Sequence, residues 1–283
     1  MQSNNPVFNR SEGFNGRGAA TTRSADPSQW KIDLDGSASQ PSPTHTTGRG
    51  TGFMTIESTV EKTAITLGVV VATAAAAWFL IGDISTDQAA VQKAFGFAFA
   101  GAIVGFGLSL VNSFKKIISP ALVLAYAAAE GVFVGAFSKV VSGYVGDPTI
   151  VFQAVLATMV AFFATLGAYK FFNIQVTDKF RKVVTISMFA FVGVMLVNFV
   201  LSITGVLESG GLRGMTGLGL VVSAIAVVLA VFMLIMDFDF VERGVEAGLP
   251  ERESWRAAFG LTVTLVWLYI EILRILAILR GQD

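Results

Sequence analysis

The chain has 283 residues, of which 53% are hydrophobic and 14% charged, with equal numbers of basic and acidic side chains. About 25% charged is usual in a soluble protein, so composition alone places this one in the membrane class. Zero net charge leaves no nucleic-acid footprint, and the absence of cysteine excludes disulfides, thiolate metal sites and cysteine nucleophiles.

Residues 1–53 differ from everything after them. They are rich in Ser, Thr, Gly, Asn and Pro, carry charges of both signs and show no sustained period. They are expected to form a disordered cytoplasmic tail. The tail has no apolar core of the signal-peptide kind and is expected to be retained. The single histidine, His45, reads as a solvated tail residue. The patch Asn5-Pro6-Val7-Phe8-Asn9-Arg10 is either a docking element or an accident of composition.

Seven apolar runs follow, at 64–81, 94–111, 120–140, 150–168, 183–203, 215–236 and 257–279. Each is near the ~20 residues that cross a bilayer as helix, and lipid leaves the backbone few other ways to satisfy itself. The expected fold is an all-α integral membrane protein, a seven-transmembrane helix bundle over residues 54–283. Lys115 and Lys116, then Lys170, Lys179, Arg181 and Lys182, then Arg243, Arg252 and Arg256 fall in alternate connections. The other connections carry Lys93, Lys139 and Arg213 beside Asp83, Asp87, Asp147 and Glu208. Basic loops stay cytoplasmic, which puts the N-terminus inside and the C-terminus outside. Gly101-x-x-x-Gly105 and Gly131-x-x-x-Gly135 are spaced to let helices approach closely.

Carboxylates in lipid cost roughly 2.5–3.5 kcal/mol on insertion scales and mark function more often than not. Glu130 lies mid-span in the third run, with Tyr126 and Phe133 on its helical face. It is either an ion-pathway residue or a neutral hydrogen-bonding group between helices. Glu271 lies mid-span in the seventh run, with Arg274 three residues on. It either pairs with Arg274 or shares a site with a carboxylate on another helix. Asp237 closes the sixth run, with Asp239 two residues later. It is either a helix ending in charge or half of a pair that shares a proton. Such a pair also offers hard oxygens to calcium. The mixed charges from Phe240 to Arg256 read as a solvated helix face.

Taken together, the ordered set Glu130-Gly131, Met236-Asp237-Phe238-Asp239 and Leu268-Tyr269-Ile270-Glu271 resembles the Bax inhibitor motif (TMBIM) family, in particular its bacterial, YccA-like members. The resemblance covers about residues 55–279. It implies a bundle wrapped around a central last helix, in the inner (plasma) membrane of the cell. It implies a calcium leak that responds to pH, in which Asp237 and Glu271 form a hydrogen-bonded gate and Glu130 lines the pore. Asp239 and Arg274 are then candidate gate partners, and calcium passes transiently over Glu130, Asp237 and Glu271 with no high-affinity metal site and no cofactor. The chain departs from the family in using Glu271 where Asp is usual and in placing Arg274 where the family is uncharged. It also lacks a basic residue in the second run to contact the carboxylate pair. YccA-like members also suggest an alternative, a regulator that binds a membrane protease without transporting anything. An enzyme is not expected: no Gly-x-Gly-Asp stretch appears, and the spans hold no His or Cys.

Overall fold

The computed structural model describes residues 52–281. The expectations for the tail, including His45 and the 5–10 patch, lie outside the described residues. Seven helices are each long and apolar enough to cross a membrane. They are α1 (Ile56–Ile81), α2 (Gln88–Phe114), α3 (Pro120–Val145), α4 (Thr149–Phe171), α5 (Asp178–Ile203), α6 (Gly217–Glu246) and α7 (Glu253–Arg280). A 3-10 helix, Glu208–Arg213, sits between α5 and α6. The protein is an all-α, multi-pass membrane bundle.

Local chemistry sets the helix ends. Thr55 and Ser58 satisfy each other's backbone N–H groups at the start of α1, a capping box. The Asp87 and Thr177 side chains cap α2 and α5, and Pro120 occupies the first turn of α3, where no N–H is needed. Gly146, with φ 75°, ends α3 in the left-handed conformation that glycine adopts without strain.

The sixth helix is longer than its apolar run. It continues about ten residues past Met236, so Asp237 lies inside α6 and does not close it. The extension survives its charges because they are paired: Asp239 meets Arg181 and Arg243, and Glu242 accepts from the Tyr169 hydroxyl. The segment from Phe240 to Arg256, read from its charges as a solvated helix face, is mostly helix, with a turn only at 247–252.

Helix α7 is the centre. It packs on α1, α3, α4 and α6, and 67% of its apolar window is buried. Leu268, Leu273 and Ala277 are fully enclosed. Hydroxyl pairs tie the helices together: Thr66 to Thr262 at 2.9 Å, Ser58 to Ser254 at 2.7 Å and Ser138 to Tyr269 at 2.6 Å. Both small-residue motifs lie at helix crossings. A Cβ on Gly131 or Gly135 would run into the α1 backbone at Val70 or Ala74, and one on Gly101 would stand 2.7 Å from the Phe133 nitrogen. Phe99, Phe152 and Phe189 point outward and are mostly exposed, which suits a surface bathed in lipid.

The connections gather at two ends. At the basic end the Met54 N–H donates to the Leu249 carbonyl at 2.6 Å, Arg256 donates to the Lys116 carbonyl at 2.9 Å, and Arg243 to the Val176 carbonyl at 2.8 Å. At the far end Arg280 holds Asp147, and donates to Gln153 at 2.8 Å.

Candidate functional site

The seam between α6 and α7 carries two acidic positions. The first is Asp237 of α6. The Thr264 hydroxyl of α7 donates to its Oδ2 at 2.7 Å. Gly260, one turn before Thr264, leaves room for the carboxylate: a Cβ there would lie 3.3 Å from Oδ1.

The second position is Glu271 of α7, only 1% exposed. Arg213, from the end of the 3-10 helix, folds inward and donates from Nη1 to Oε1 at 2.6 Å. Arg274 lies one turn on, its Nε 3.9 Å from Oε2, within ion-pair range but too far for a hydrogen bond. Oε2 itself is buried without a hydrogen-bond partner among the described residues. Arg274 is held elsewhere, donating to the Arg213 carbonyl at 2.7 Å and approaching Ser223 of α6 at 3.4 Å. The connection that delivers Arg213 is anchored by Asn198 of α5, whose Oδ1 accepts from the Leu212 N–H at 2.8 Å. Gly211, at φ 58°, makes the turn that this needs. Two guanidinium groups thus face one carboxylate, and this end of the seam carries a net positive charge.

The expected Asp237–Glu271 hydrogen bond is not formed. Asp237 engages Thr264, seven residues before Glu271 on the same helix, which is about 10 Å of rise. Each carboxylate already has a partner of its own. Arg274 does stand beside Glu271, as an intrahelical neighbour. Asp239 engages neither carboxylate: it accepts from Arg181 at 2.8 Å and Arg243 at 2.9 Å, tying α5 to α6 at the basic end. Glu130 is not on the seam either. It lies between α3 and α2, its Oε2 2.8 Å from where a Gly105 Cβ would be. The second Gly-x-x-x-Gly residue therefore makes room for a carboxylate as well as for a helix.

The sequence reading missed Arg213 and Thr264. Thr264 had a usable signal, since it precedes Glu271 by seven residues and shares its helical face. Arg213 had a weaker one, a lone basic residue among glycines in an otherwise acidic connection. Among the described residues no group of three or more acidic or histidine side chains could hold a metal ion.

A family model described as Bax inhibitor 1 like matches residues 5–281, nearly the whole chain. No curated protein matches it.

Proposed function

The chain belongs to the Bax inhibitor 1 like family, and on that basis we propose that it is a proton-sensitive cation leak, with calcium as the expected ion. The observation that carries the reading is the placement of Asp237 and Glu271 along the buried α6–α7 seam, each held by a different partner, a hydroxyl for Asp237 and a guanidinium for Glu271. A permeating cation needs oxygens to replace its hydration shell. Two carboxylates, one on α6 beside Thr264 and one on α7 about 10 Å of helical rise beyond Thr264, would serve as successive stations. Calcium takes six to eight oxygens in tight sites, so passage here is weak and transient.

The conformation described is a closed one on this reading. Arg213 and Arg274 outweigh Glu271 in charge and repel an arriving cation. Opening requires Arg213 to withdraw with its connection. A proton delivered to Glu271 cancels the charge that holds Arg213 and frees it. A proton on Asp237 removes the negative charge from the second station and weakens the bond from Thr264, which then donates to a neutral carboxyl.

The test is calcium influx into liposomes loaded with a calcium dye, followed across pH for the wild type, Asp237→Asn, Glu271→Gln and Arg213→Gln. Influx that depends on pH in the wild type and loses that dependence in Glu271→Gln and Arg213→Gln supports the reading. No influx above empty liposomes at any pH, with folded protein confirmed, overturns it.

A further inference from the structure

The bundle is open between α1 and α4. These two helices do not pack on each other among the described residues, and the gap is an apolar groove of about 320 Å³. Val71 and Ala75 of α1 and Val155 and Met159 of α4 form its sides, with Val134 of α3 and Tyr269 of α7 at its floor. Its α1 wall runs from Leu67 to Trp78, about 16 Å along the helix. Such a lining does not hold water, and inside a bilayer the neighbouring material is acyl chain.

The far end of the groove is different. Trp78 stands there, and the Lys139 ammonium lies over its ring, 4.4 Å from the centroid. Lys139 follows Ser138, which lines the floor. An indole and a lysine at the end of an apolar slot match the way aromatic and basic side chains meet lipid headgroups. An acidic group that interacts with Lys139 from outside its own helix is Asp83, which is exposed. The Ser85 hydroxyl, then the Ser85 backbone N–H, hold Asp83 below the usual carboxylate range, with Lys139 adding a smaller contribution.

We propose that this groove is a lipid site, taking one acyl chain of an anionic glycerophospholipid with its phosphate on Lys139. The apolar walls fix the class of the tail and the single lysine fixes the sign of the headgroup. The chain in the groove touches Tyr269 of the central helix, two residues from Glu271 and therefore on a different face of that helix, so the site shares none of the seam's carboxylates.

The four tryptophans allow a direct test. Trp30→Phe, Trp255→Phe and Trp267→Phe leave Trp78 as the reporter. This protein is reconstituted in phosphatidylcholine containing an equal mole fraction of acyl-brominated phosphatidylglycerol or phosphatidylcholine, and quenching is compared. The expected result is about fivefold tighter association of the anionic lipid, the effect of one basic side chain near a membrane surface. Lys139→Gln should equalise the two lipids. Ala75→Phe, at an exposed wall position, should reduce quenching by both. Equal quenching before any change at Lys139, or a preference that survives Lys139→Gln, overturns the proposal. So does dimer formation through Ala75→Cys in the otherwise cysteine-free chain, which would put a second copy in the groove.

Discussion

Helices α5 and α7 are both apolar enough to cross a bilayer, yet 67% of the α7 window is buried and 11% of the α5 window. What separates them is the place of their polar groups. Helix α7 buries Ser254, Thr262, Thr264, Glu271 and Arg274, and each one meets another helix, a connection or its own backbone. Helix α5 buries Asn198 and is tied at its two ends, by Arg181 to Asp239 and by Asn198 to Leu212. Lipid is as good a solvent for leucine as a protein core is. Position in this bundle is therefore decided by polar groups that lipid cannot serve, and the element whose polar ties lie at its ends, with a ring contact of Phe191 on Trp267 between them, is the one freer to shift.

The largest expected effect is at Glu271. Replacing it with Gln leaves the Arg213 and Arg274 guanidinium groups facing each other without their anion, a loss of about 3–5 kcal/mol for one partner of a buried pair. Unfolding in detergent should show it, and adding Arg213→Gln should restore part of the loss. A Glu271→Gln protein as stable as the wild type would mean that the polar cluster does not hold α7 in place. Next comes packing without charge. Leu268→Ala on α7 removes a fully buried side chain and should cost about 2–5 kcal/mol. Val197→Ala on α5, where the side chain is 58% exposed, should be close to neutral. Equal losses would erase the distinction between the two helices.

Much of this arrangement was legible in the residues. The seven runs gave the spans, because hydropathy and length answer to the bilayer alone. The Gly-x-x-x-Gly motifs gave two helix crossings, because only a missing Cβ permits them. The central place of α7 came through the family resemblance, and its sign in the sequence is the polar set from Ser254 to Arg274. The partners of the acidic residues were not legible. Arg213 reaches Glu271 from 58 residues away through a glycine turn, and no helical period encodes that. Asp237 looked terminal because its run ended in charge. What continued the helix was pairing with Arg181 and Tyr169 on other helices, which local composition does not record.

A small effect on stability is also expected at Asp239, and it separates a hinged helix from a merely peripheral one. Its carboxylate accepts from Arg181 of α5 and Arg243 of α6, both about half exposed at their side chains, so the pairs are worth about 1 kcal/mol together once solvent screening is counted. Asp239→Asn should lower overall stability by no more than that. Its distinctive mark should be local: faster amide hydrogen exchange over the first turns of α5, with α7 protected as before. Opening confined to α5 follows if its polar ties lie at its ends and the ring contact of Phe191 with Trp267 gives way without disturbing α7. The Asn198–Leu212 bond at its other end then still holds, and through Leu212 the helix stays joined to the connection that seats Arg213 on Glu271. If exchange rises along α7 as well, the two helices open as one unit, and motion of α5 could not free Arg213 without loosening the central helix it guards.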